Sequence, residues 1–188
     1  LMLFAGRFGI GLIGQGLTYG EFHLLREGSN PLTDPLLSSD GFRIVPDGAA
    51  FERAEKIDAM SGWDELLRHL RVCWQGPRKD RNCCQCEKCI RNILTFRALG
   101  LGLPPCFPED VEDEQLRTFR LGRGALPSIR YEGLLSLAAA RGVEGAWLEA
   151  IRKRLARDRR LQHSRVLRHV SRLGYYRRRL WDRLIGRD

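Results

Sequence analysis

The sequence predicts an α/β fold over its first half, the trailing part of a sheet-and-helix domain, followed by a region built only of helices. Three observations predict it. Short apolar runs of strand length alternate with helical periodicity up to about residue 105, and only helical periodicity follows. Five of the six cysteines fall at Cys73, Cys83, Cys84, Cys86 and Cys89, toward the end of the first half. The 188 residues suffice for one domain with a substantial core, or one domain with an appendage. The expected organisation is a partial α/β domain over 1–105, a helical extension over 106–151 and a basic helical tail over 152–188.

In chain order, residues 8–20 contain a G-x-G-x-x-G at Gly9, Gly11 and Gly14. A dinucleotide-binding loop would need a strand before it and a helix after it, and 15–20 has loop composition. Residues 10–13 therefore read as a short buried strand. The segment 28–41 holds two prolines and many small polar residues and reads as a loop. A strand is expected at 42–45, a turn at 46–49, a helix at 51–60 with charges on its exposed face, and a second helix at 63–71 leading into Cys73. Ile90, Ile93, Leu94 and Leu99 recur at helical spacing, which predicts a helix over 89–99 stopped by Gly100, with the last thiolate of the cluster at a helix start. Residues 101–108 read as a loop and 109–119 as an acidic-started helix. Two further helices, 131–141 and 144–155, join at Gly142. The chain begins on Leu1 within an apolar stretch, and upstream sequence is expected.

The cysteines carry the chemistry. A Cys-x-x-Cys step turns the backbone enough for two thiolates to grip one ion, and Cys83, Cys86 and Cys89 chain two such steps. Tetrahedral zinc needs a fourth ligand. Cys73, in an apolar stretch upstream, is the best placed, with Cys84 and Cys106 competing. Six cysteines in 188 residues are too few for a disulfide scaffold, and a triplet has one thiol too many for a dithiol redox pair. A structural zinc in a reducing, cytoplasmic setting is the expectation.

The net charge of +9 is unevenly spread. Residues 1–151 hold 18 Lys+Arg against 20 Asp+Glu, whereas 152–188 hold 14 against 3. The tail interleaves these cations with Leu155, Leu161, Val166, Leu167, Val170 and Leu173, the pattern of a basic amphipathic helix broken near Gly174. Such a helix can pack its apolar stripe on the domain, bind RNA or another polyanion, or lie on a membrane surface. Tyr175, Tyr176 and Trp181 suit base stacking or a core equally. No stretch approaches the roughly 20 apolar residues that span a bilayer. The nearest, 1–17, is interrupted by Arg7 and five glycines.

Four segments in order, Gly28-Ser29-Asn30-Pro31-Leu32-Thr33-Asp34-Pro35-Leu36, Glu52-Arg53-Ala54-Glu55-Lys56, Leu70-Arg71-Val72-Cys73-Trp74 and Asn82-Cys83-Cys84-Gln85-Cys86-Glu87-Lys88-Cys89, resemble the C-terminal half of PP-loop ATP pyrophosphatases akin to 7-cyano-7-deazaguanine synthase. The resemblance covers about residues 3–105. It implies a parallel-sheet nucleotide-hydrolase fold in which ATP activates a carboxylate or similar oxygen as its adenylate, with pyrophosphate released before a nucleophile displaces AMP. It also implies a structural zinc on Cys73, Cys83, Cys86 and Cys89. The family's Ser-Gly-Gly-x-Asp-Ser phosphate loop is not among these residues, so ATP use is expected only with an upstream segment. Asn30 stands where relatives commonly have His, and Cys84 where they have Gly.

Around the first segment, small residues allow a small-molecule substrate close to the backbone, and Asp34 offers a carboxylate to an amine or a metal-bound phosphate. Ser29 and Asp34 equally suit turn capping. Arg53 and Lys56, three apart on one helix face, can meet a phosphate or carboxylate, or form ordinary surface ion pairs. The substrate candidates are thus Ser29, Asn30, Asp34, Arg53 and Lys56. The alternative function is a zinc-stabilised nucleic-acid-binding module that uses the basic tail, and a remnant without activity is the third.

Overall fold

Isoleucine-rich β1 (Ile10–Gly14) and β2 (Arg43–Asp47) pair in parallel, with Ile10 opposite Arg43 and Gly14 opposite Asp47. This is a computed structural model describing residues 3, 5–22, 28–73, 80–119, 121 and 125–163. The described part of the connection between the strands carries one 3-10 turn, Asp34–Leu37, which packs beside β2. Ser38 Oγ accepts a hydrogen bond from the Ile44 amide at 3.0 Å there. Gly11 and Gly14 lie inside β1 itself, not in a loop after it.

The strand at 10–13 is present but not buried as expected. Ile10 is 49% exposed and Leu12 65%, with only Gly11 of the strand buried, because no described element covers that face. Parallel sheets are ordinarily covered on both faces, and among the described residues this face of β1 has no cover. Leu17, Phe42, Ile44 and Ala49 are buried at the sheet, outside the principal core.

Six helices follow: α1 (Arg53–Met60), α2 (Asp64–His69), α3 (Glu87–Ala98), α4 (Asp113–Thr118), α5 (Ala125–Ala140) and α6 (Ala146–His163). The described fold is thus mixed α/β. α1 opens on a capping box in which the Glu52 amide donates to Glu55 Oε2 at 2.6 Å, satisfying a backbone donor that a helix start leaves open. α3 begins two residues earlier than predicted, with Cys86 as its N-cap and Cys89 in its first turn.

α4 is shorter than the predicted 109–119. Arg97 explains this, because it pairs with Asp110 at 2.7 Å and donates to the Val111 carbonyl at 2.6 Å, holding that segment outside the helix. α5 begins six residues before the predicted 131, across Pro127. Proline is tolerated there because first-turn amides lack intrahelical partners anyway. α6 runs past 155 to His163, so the predicted helix and the start of the predicted tail are one element. The rest of that tail, 164–188, with Tyr175, Tyr176, Trp181 and the break at Gly174, lies outside the described residues.

The principal core is helical and centred on α3. Helix α5 packs on α3, α6 packs on both α4 and α5, and buried residues run from Ile57 to Leu155. α3 is buried around almost its whole circumference, with Cys89, Ile90, Ile93, Leu94, Phe96 and Ala98 all within it. Its buried polar side chains close locally: Asn92 Nδ2 donates to the Lys88 carbonyl at 2.7 Å and Thr95 Oγ1 to the Arg91 carbonyl at 2.8 Å. Each large aliphatic chain here contributes about 1.5–3 kcal/mol by burial.

α3 ends where Gly100 takes φ +76°, with the Leu101 amide reaching back to the Phe96 carbonyl and the Gly100 amide to that of Arg97. This Schellman closure places its left-handed residue where glycine is favoured. Gly142, at φ +65°, ends α5 in the same way. Among the described residues, no helix is long and apolar enough to cross a membrane.

Candidate metal centre

The cysteine cluster sits where an extended segment, a tight knuckle and the start of a buried helix converge. Cys73 lies in the extended run after α2, Cys83 enters the knuckle, Cys86 caps α3 and Cys89 occupies its first turn. The knuckle is closed by the Cys86 amide, which donates to Cys83 Sγ at 3.3 Å. Cys84 takes φ +55° at the bend. That is a conformation glycine adopts freely, and it directs the Cys84 side chain away from the other sulfurs.

The four Sγ atoms of Cys73, Cys83, Cys86 and Cys89 all lie within 4.8 Å of one another. Cys73 to Cys83 is 3.3 Å, Cys73 to Cys86 is 3.6 Å and Cys83 to Cys89 is 3.9 Å. A zinc–sulfur bond of about 2.3 Å in a regular tetrahedron sets sulfur–sulfur edges of about 3.8 Å. The donor set and its spacing therefore fit a tetrahedral, thiophilic metal ion.

The electrostatics agree. Cys89 is wholly buried and Cys73 nearly so, while Cys83 and Cys86 are half-buried. Four thiolates so close together cannot all ionise without a cation. In the metal-free cluster, a hydrogen bond from the Cys89 thiol brings Cys86 down to about 5, the same contact drives Cys89 strongly upward, and burial raises Cys83. Burial and mutual contact thus keep part of the thiol protons in place unless a cation balances the charge. A divalent ion would displace those protons, and the N-terminal dipole of α3 favours the resulting anions.

Asn82 organises the site and is 1% exposed. Its Oδ1 accepts from the amides of Val72 at 3.0 Å and Cys73 at 3.2 Å. Its Nδ2 donates to the carbonyls of Leu70 at 2.9 Å and Cys106 at 3.0 Å. One side chain thus holds the Cys73 strand beside the knuckle and ties both to the loop after α3. Gln115 of α4 adds a bond from Nε2 to the Cys84 carbonyl at 2.8 Å. Neither residue was singled out in the sequence; for Asn82 the only signal was its place directly before the first Cys-x-x-Cys.

Cys84 and Cys106, the competing ligands, stand outside the four-sulfur group. Burial raises Cys84 and pushes Cys106 up to about 11, so both are protonated thiols at neutral pH. No family model matches the chain, and no curated protein or solved structure does.

Ser29, Asn30, Asp34 and Lys56 gather at the carboxyl end of β1. Asp34, 3% exposed, accepts from Ser29 Oγ at 2.6 Å, the Asn30 amide at 2.9 Å and Gln15 Nε2 at 3.1 Å. Those bonds, the Ser29 hydroxyl foremost, hold its carboxyl below the usual carboxylate range. Both carboxylate oxygens are thereby engaged, and Asp34 shapes its loop. Lys56 Nζ donates to the Gln15 carbonyl at 3.0 Å, which brings α1 to the same strand end. Arg53 lies one turn earlier on α1 and makes no contact with the Asp34 network.

Where α6 enters the predicted basic tail, several cations serve the fold. Arg154 Nε donates to the Phe119 carbonyl at 2.8 Å and its guanidinium lies over that ring, Arg152 and Lys153 meet Glu149, and Arg159 pairs with Glu132.

Proposed function

We propose that Cys73, Cys83, Cys86 and Cys89 hold a structural zinc ion, and that the chain is the C-terminal portion of a PP-loop, 7-cyano-7-deazaguanine synthase-like adenylating enzyme whose ATP-binding loop is supplied by a segment outside these residues. The four-sulfur arrangement carries this reading, because it falls on the cysteines to which the resemblance maps zinc. A site closed by four thiolates and set in the core leaves no position for substrate, which favours a structural role. The bare face of β1 gives separate support, since a parallel sheet of two strands is completed by further strands and covering elements.

When bound, the ion supplies folding energy and holds α3 against the 70–73 segment; the adenylating chemistry belongs elsewhere. Translating the genomic region upstream, in frame, tests the enzyme claim. A strand followed by Ser-Gly-Gly-x-Asp-Ser and a helix supports it, and the longer chain then exchanges pyrophosphate into ATP when given its acid substrate. An in-frame region without that loop refutes it.

The alternative is a zinc-stabilised nucleic-acid-binding module. It draws on the exposed Arg157 and Arg160 of α6 and on the cations beyond it. Binding to mixed RNA that weakens steeply with salt, and is lost when 164–188 are deleted, would favour it. The cut belongs at 164, because Ile151 and Leu155 are core residues.

A further inference from the structure

A group of cations that the metal centre does not use gathers where α1 and α5 pack against α3. Arg53 opens α1, Arg91 lies in α3 and Arg130 in α5, with Lys56 one turn beyond Arg53. Arg91 is only 7% exposed; its Nη1 meets Glu87 Oε1 at 3.0 Å, and its buried Nε has no hydrogen-bond partner among the described residues. Arg130 Nε lies 3.8 Å from Glu21 Oε1. Glu21 is near enough to act on both Arg53 and Lys56, and Lys56 Nζ reaches the Gln15 carbonyl at 3.0 Å at the same strand end.

Arg91 and Arg130 thus pair with Glu87 and Glu21, Arg53 and Lys56 lie within electrostatic reach of Glu21, and Asp47 and Glu55 also act on Lys56. Arg53 is the outlier. It is exposed, and makes no hydrogen bond or ion pair among the described residues. Although the residue as a whole is exposed, neighbouring atoms crowd its guanidinium, and that desolvation, then repulsion from Arg91 and Arg130, lowers its pKa. The pairs Arg91–Glu87 and Arg130–Glu21 alternate charge as a structural network does, and Arg53 stands beside them without a pair among the described residues. Here a free guanidinium is held among like charges beside a buried arginine with an unused donor. Lys56 fixes the group at the carboxyl end of β1, the side of an open α/β sheet on which ligands bind.

We propose that Arg53, Arg91 and Arg130 form a binding site for an oxyanion, a phosphate or carboxylate group of a small molecule. Guanidinium forks suit such groups. The site joins Arg91 and Arg130 to Arg53, one of the two α1 cations singled out in the sequence, and requires nothing of ATP chemistry, so the upstream-sequence test and the present one fail independently.

The test titrates the full metal-loaded chain with inorganic phosphate, and separately with succinate, at constant ionic strength, following heat and melting temperature. Saturable one-to-one binding is expected for one or both probes, and the tighter probe identifies the group. Arg53→Gln should weaken binding at least tenfold, Arg53→Lys less, and without anion Arg53→Gln should melt no lower than the parent because it removes repulsion. Deleting 164–188 should leave binding intact. No saturable binding of either probe, or an affinity unchanged in Arg53→Gln, overturns the proposal.

Discussion

Replacing Asn82 by alanine removes four hydrogen bonds of 2.9–3.2 Å from a side chain that is 1% exposed. At about 1 kcal/mol net for each bond, the loss is about 4 kcal/mol. The Val72 and Cys73 amides and the Leu70 and Cys106 carbonyls are left without that partner. Asn82→Asp is the informative companion. It keeps the acceptor for the two amides but turns a second oxygen toward the two carbonyls, so it should be destabilised at least as much. Urea unfolding of the metal-loaded protein at neutral pH measures both, and metal affinity should fall in parallel because Cys73 loses its support. A loss below about 1 kcal/mol for Asn82→Ala would refute the reasoning, and would mean that the 70–73 segment is held by the metal and packing alone.

Two other outcomes follow from local geometry. Gly100→Ala meets no steric block, since the nearest atom to an added Cβ is Val143 Cγ2 at 3.8 Å, but it forces φ +76° on an L side chain. Stability should fall by about 1–2 kcal/mol in the same assay. Asp34 has a folded pKa below its unfolded one, so its contribution is fully present above the unfolded value, about 3.9, and is lost as pH falls through the folded value. Between pH 5 and 2 the wild-type urea midpoint should therefore drop more steeply than that of Asp34→Asn; equal slopes would show that Asp34 does not contribute.

Much of the site could be read from residue spacing because its ligands are local. Cys83, Cys86 and Cys89 lie within two knuckle steps, and the stop at Gly100 follows from a backbone conformation only glycine takes easily. Cys73 was harder: adjacency to Cys83 turns Cys84 aside and a helix and loop separate Cys106, but spacing alone leaves both as competitors. The choice depends on the left-handed bend at Cys84 and on Asn82, which holds Cys73 inward while binding Cys106 through its carbonyl. The start of α5 was hidden by Pro127, and the shortness of α4 by a long-range contact from Arg97. Burial of β1 was expected from its composition alone, but burial depends on what packs against a strand, and Ile10 and Leu12 have no such neighbour among the described residues.

The central claim is that Cys73, Cys83, Cys86 and Cys89 close one zinc site on which the helical core depends. Elemental analysis of protein purified with reduced thiols measures it directly, for the parent and for Cys73→Ser and Cys106→Ser. The account predicts one zinc per chain in the parent and in Cys106→Ser, with loss of the metal and of cooperative unfolding in Cys73→Ser and after chelation. A parent protein that folds cooperatively with fully reduced thiols and no bound metal would contradict it.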